Sequence, residues 1–478
     1  MNIVEPIFAQ CRNKPSELAL CAPGTEFNLV SYARLQRSVD NICRRIIAAG
    51  IVPHSRIAVT IEDPILHAMT VIALTRLGIV TVSAGNRTVQ WPFKVDGAIA
   101  DREHGPPASN TLIADAGWTD GDDQPLAEKH LYRAAPGDLC RIFLRPGSDR
   151  RQTAVAITHG ALATRLDRQK LFLGRHAPFC DRTHLDLPLR RPIGFQVMLG
   201  TLWRGGALVI TWDVQKTLAA LPVYKVQNMV AAPQTLAKFA DALQSYSGYC
   251  SALSAVFSLR GMGPELSDWV RARLCSNLTV GYVAPDATMV ASMPAAELAS
   301  ADPGAVGYVL PGVVAEIVDD EDGALPSGED GNLRIRSDYG IKEYFEDPDA
   351  TRRVFRNGWF YPGDRGYLTA DNMLVLSNAN DGGGATNVER IEQILSKHTN
   401  VVQCGVLAVA DEFGKEEFCA LVVPRSYFDV EALRSYCNAR LPGSLVPARF
   451  VAVSQLPRDD AGGIDRAKLP QLLKSQLN

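Results

Sequence analysis

The chain has 478 residues, 46% apolar and 21% charged, with 49 Lys and Arg against 52 Asp and Glu, for a net charge of −3. That is enough apolar material for about three packed units of roughly 150 residues, and it excludes a disordered, collagen-like or disulfide-stapled chain. There is no overall basic excess to suggest nucleic acid or an anionic membrane as a partner.

The opening residues, Met1 to Asn13, include Glu5 and no long apolar run, so no secretory signal is expected. Tyr32 to Ala49 predicts an amphipathic helix: Leu35, Val39, Ile42 and Ile46 recur at three and four residues, with Ser31 as N-cap and Gly50 as terminator. A strand over 56–61, a helix over 65–77 closed by Gly78, and a strand over 79–83 follow, which predicts a parallel α/β layer. This apolar stretch carries Glu62, Asp63, Pro64, His67 and Arg76, so no membrane span is expected.

From 87 to 136 the pattern weakens to short strands and loops. Leu139 to Leu144 reads as a strand, 218–243 as a helix broken at Pro222 and Pro233, Ala255 to Leu259 as a buried strand and 265–274 as a helix. Between 306 and 336, short β-runs alternate with Pro311-Gly312, Asp322-Gly323 and Asp330-Gly331, which is hairpin punctuation. Another hairpin turns at Asp371-Asn372. The Gly-rich stretch 380–385 marks a boundary, and a compact pattern of helices and strands follows it to the end. The expected architecture is α/β. A large domain over 1–378 would hold several subdomains, one of them β-rich, and a small α+β domain over 379–478 would form a lid.

The ten cysteines are scattered and form no CxxC pair, the usage expected of buried thiols in a cytosolic protein. His176, Cys180 and His184 share a four-residue spacing, but Pro178 breaks the helix that would align them, so no metal site is expected there. Between Arg133 and Arg191 stand eleven arginines and one lysine against five acids. This is either a solvated, salt-bridged face or an anion site.

Over 306–364 the chain resembles the adenylate-forming superfamily, which includes acyl- and aryl-CoA synthetases, luciferases and nonribosomal-peptide adenylation domains. The resemblance rests on Gly307-Tyr-Val-Leu-Pro-Gly312, Gly331-Asn-Leu-Arg-Ile-Arg336, Tyr344-Phe-Glu-Asp-Pro348 and Gly358-Trp-Phe-Tyr-Pro-Gly-Asp-Arg-Gly-Tyr367. It extends more weakly over nearly the whole chain. It implies ATP-dependent activation of a carboxylate, often followed by transfer to a thiol of CoA or of a carrier's phosphopantetheine.

The resemblance makes Asp364 the acceptor for the ribose hydroxyls, and Gly261 part of a loop that lines the adenine. Elsewhere the chain departs from the family's pattern. In the phosphate loop, Gly147 and Ser148 survive, but Arg150 stands for the second Gly and Thr153 for the Lys. Only Arg145, Arg150 and Arg151 could hold phosphate there instead. In Gly281-Tyr-Val-Ala-Pro-Asp286, one alignment puts Ala284 at the metal-holding Glu, and a shifted one puts Asp286 there with Tyr282 beside the nucleotide. Asp381 stands at a shortened hinge. In the closing motif Gly463 replaces the adenylating Lys.

These departures imply impaired adenylation and weak binding of ATP, AMP and magnesium. The chain would then be a pseudoenzyme, or a partner that binds an acyl group or a phosphopantetheinyl carrier protein. The alternative is an active acid–thiol ligase or acyltransferase that uses arginines for the phosphates.

Overall fold

The computed structural model describes residues 1–83, 91–101, 110–146, 152–173, 182–243, 253–259, 262–284, 288–302, 304–377, 387–410, 416–438, 440–441, 446–457 and 468–477. The chain divides into two compact units, Met1–Gly382 and Gly383–Asn478.

The first unit contains a six-stranded sheet. Its order is Thr111–Ile113, Gly97–Ala100, Arg56–Thr60, Val80–Ser83, Leu139–Pro146 and Gln152–Thr158. All neighbours are parallel except the last two, which form an antiparallel hairpin. Helix Tyr32–Ala48 forms where its apolar period predicts. The Ser31 side chain caps it by accepting from the Arg34 amide, and Gly50 ends it at a φ of 74°. Helix Pro64–Arg76 is apolar on every side and buried at every position. Inside this layer Arg76 donates to Asp40 and lies 3.6 Å from the centre of the Phe8 ring.

A second sheet holds the parallel strands Leu18–Cys21, Ala207–Ile210, Arg182–Leu185, Asn228–Ala231, Ala255–Ser258 and Leu278–Ala284 in spatial order. It continues into antiparallel strands from Thr288–Pro294 through Met373–Leu376, the β-rich part that the turn residues predict. Asp322 and Asn372 take the left-handed conformation at two of those turns, at φ of 66° each.

One sequence expectation is corrected here. Residues 218–243 are not one broken helix: helix Val214–Val223 ends, strand Asn228–Ala231 enters the sheet, and helix Pro233–Leu243 follows. Lys225 at a φ of 49° turns the chain between helix and strand. The second unit has strands Val401–Ala410, Glu416–Pro424 and Arg449–Ala452, with helices Asn387–Ser396, Val430–Asn438 and Leu469–Leu477. Among the described residues no helix is long and apolar enough to cross a membrane. The eight described cysteines are all buried and unbridged.

Burial also sets the acid sensitivity of the first unit. It pushes His67 down to about 3, and His159 and His184 down to about 4. These rings stay neutral in the folded chain, while their unfolded counterparts protonate near 6.5. The unfolded state therefore binds more protons as pH falls, and these three rings lower stability from about pH 6.5 down to about 4, with His67 continuing the fall to about 3. Urea unfolding at stepped pH should show this fall, shallower in His184→Gln. A midpoint that is flat across the window would contradict it.

Candidate nucleotide and acyl site

The hairpin Leu139–Pro146 and Gln152–Thr158 pairs Arg145 with Thr153 and Pro146 with Gln152. Gly147, Ser148, Arg150 and Arg151 lie outside the described residues, as does the Arg145 side chain. Thr153 is described, and it is only 7% exposed. Its hydroxyl is buried with no hydrogen-bond partner among the described residues. By strand alternation it shares a face with Val155 and Ile157, which pack in the helix-filled core, while Ala154 packs on the opposite face. The position where the resemblance calls for a lysine is therefore turned into the protein.

On the facing strand, Arg141 is fully buried between Phe143 and Phe195, at 4.9 and 4.2 Å from the ring centres. It donates to the Thr81 hydroxyl at 3.0 Å and the Leu189 carbonyl at 3.4 Å. Burial pushes its guanidinium down to about 9. Thr158 closes strand Gln152–Thr158, and His159 opens the next helix with Nδ1 accepting from the Ile3 amide at 3.1 Å.

The carboxyl edge of the parallel strands is where open α/β sheets take ligands. Asp186 follows strand Arg182–Leu185 there and accepts from the Thr235 hydroxyl. Burial raises its carboxyl, while Thr235 and Lys238 act against the rise. The sequence reading did not single out this pair. Nothing in Arg182-Thr-His-Leu-Asp186 marks it, since the strand residues before the acid are mostly polar. His184, weighed with His176 and Cys180 as a metal ligand, is instead a buried strand residue, with Nε2 2.9 Å from the Thr211 hydroxyl. No cluster of three metal-binding side chains occurs among the described residues. Gly261, Asp286, Asp381 and Gly463 lie outside them.

Two of the predicted site residues are brought together. Tyr282 lies in strand Leu278–Ala284, and Asp364 follows Gly363, whose φ is 86°. The Tyr282 hydroxyl donates to Asp364 Oδ2 across 82 positions of sequence. The register slips between Tyr282 and Val283, because Val290 is an extra residue on the partner strand. Such bulges twist a strand and re-aim its side chains. Gly281 is required beside it: a Cβ there would meet the Phe257 ring at 2.9 Å. Asp364 is half-buried, and its carbonyl accepts from the Leu333 amide at 2.9 Å. An ionised carboxylate in this position has acceptor oxygens of the kind that hydroxyl groups donate to.

Residues 100–345, more than half of the chain, match the family model of AMP-binding enzymes, and residues 390–462 match that of their C-terminal domain. The chain belongs to the AMP-binding enzyme family. It is 25% identical over 518 aligned residues to a 4-chlorobenzoate–CoA ligase of Arthrobacter, covering 98% of this chain and 95% of that one. A 2-succinylbenzoate–CoA ligase of Geobacillus is 33% identical over 157 residues, 31% of this chain and 32% of that one. The fold matches the O-succinylbenzoate–CoA synthetase of Bacillus subtilis solved with AMP, with a TM-score of 0.79, 18% identity and 97% of each chain covered. It also matches an amide bond synthetase of Marinactinospora thermotolerans, with a TM-score of 0.69, 22% identity, and 98% of this chain and 99% of that one covered. This AMP-binding chain is thus CoA-ligase-like in sequence and shares the large α/β domain and smaller C-terminal domain of the adenylate-forming fold.

Proposed function

We propose that this AMP-binding protein keeps a nucleoside pocket and takes a carboxylic acid, an acyl group or an acylated phosphopantetheine arm beside it, but adenylates poorly. The observation that carries this reading is Thr153. At the position of the phosphate-loop lysine it has a short neutral side chain, packed inward, where it cannot reach a phosphate. Gly463, with no side chain at all, adds a second missing cation by sequence. Losing one preorganised electrostatic donor costs roughly 10²–10³ in rate.

The alternative, an active acid–CoA ligase, is favoured by the ligase relative aligned over 98% of the chain. In that case Arg145, Arg150 and Arg151 would take the phosphates. Calorimetry with ATP and magnesium separates the two. The proposal expects a dissociation constant near or above roughly 1 mM, about −4 kcal/mol. Micromolar binding that Asp364→Ala abolishes would favour the active ligase.

A further inference from the structure

We infer that Tyr282 is an internal ligand of the ribose-binding carboxylate, so that a nucleotide's 2′,3′-diol competes with the phenol for Asp364 Oδ2. The inference rests on reading this pocket as a nucleoside site, and it adds a competing residue to it.

The geometry supports competition between phenol and diol. Tyr282 is 4% exposed, so its hydroxyl has little access to water, and its donor is directed at Asp364 Oδ2. Burial first, and the Asp364 charge second, push the phenol well above its ordinary value, so it remains a protonated donor through neutral pH. The bulge between Tyr282 and Val283 fixes the strand's twist at this point, and the tight seat of Gly281 holds the backbone beside it.

A diol that takes Oδ2 leaves a buried hydroxyl unpaired. Orphaning such a donor is costly, whereas a charge-assisted bond from a ribose hydroxyl only replaces the one it breaks. The diol then contributes little net affinity in the native chain. Removing the phenolic oxygen removes the competitor without opening a large hole, since phenylalanine keeps the ring.

The test uses the full-length protein with AMP and 2′,3′-dideoxy-AMP in ligand-observed NMR titrations, which read weak dissociation constants. The native chain should bind the two within about twofold of each other. Tyr282→Phe should tighten AMP by about tenfold, the size of one buried hydrogen-bond penalty, and leave the dideoxy analogue unchanged. A native chain that prefers AMP by tenfold would overturn the inference and needs no variant to show it. So would a folded Tyr282→Phe protein whose AMP affinity is unchanged or lower. Because binding is read without ATP or turnover, failure here leaves the proposal of poor adenylation standing, and failure of that proposal leaves this result intact.

Discussion

Asp40→Ala should lower the unfolding free energy by about 3–5 kcal/mol, the usual cost of removing one member of a buried ion pair. Both side chains are nearly out of solvent, at 7% exposure for Arg76 and 2% for Asp40. Burial raises the Asp40 carboxyl above its usual range, with Arg76 as the main opposing influence. The pair therefore ties helix Tyr32–Ala48 to helix Pro64–Arg76 at some desolvation cost, and losing one partner leaves that cost uncompensated. Asp40→Asn keeps the shape and an acceptor, and should lose less. Urea denaturation of the two variants measures this. Equal losses below 1 kcal/mol would show that the pair is effectively solvated.

The second large effect concerns repair of the chemistry. If Gly463 were the one defect, Gly463→Lys would restore adenylation. It should not. On the proposed reading, the positions of Thr153 and Arg150 belong to the loop that would orient the same triphosphate, and a restored charge cannot stabilise a transition state whose phosphates are not oriented. Gly463→Lys combined with Thr153→Lys and Arg150→Gly should outpace the single variant by at least the roughly 10²-fold attached to one such donor. Because Thr153 faces the core, Thr153→Lys must turn its side chain outward, so a modest fall in melting temperature should accompany the gain. Pyrophosphate exchange reads the activity. Robust exchange by Gly463→Lys alone would mean the loop is competent as it stands.

Much of the scaffold was legible because it follows local rules. Helix Tyr32–Ala48 announced itself through its period, its Ser31 cap and Gly50, and the turns at Asp322 and Asn372 through residues that tolerate positive φ. Strand Asn228–Ala231 was not legible: four residues in an apolar run look the same in a buried strand and in a helix. For the site, motif matches named Tyr282 and Asp364 separately. Their hydrogen bond is a tertiary fact between residues 82 positions apart. The inward turn of Thr153 was hidden because the strand was read to end at Leu144, whereas pairing continues to Pro146 and carries Thr153 into the hairpin.

The most direct measurement is ATP–pyrophosphate exchange by the native, full-length protein, with magnesium and a panel of aromatic and aliphatic carboxylic acids. A chain that adenylates poorly should show little or no acid-dependent exchange above the protein-free blank, together with detectable acid or acyl binding by calorimetry. Acid-dependent exchange at a rate of about 1 s⁻¹ or more, within the ordinary range of enzyme turnover, would contradict that reading. The arginines around the phosphate loop would then have to be counted as catalytic.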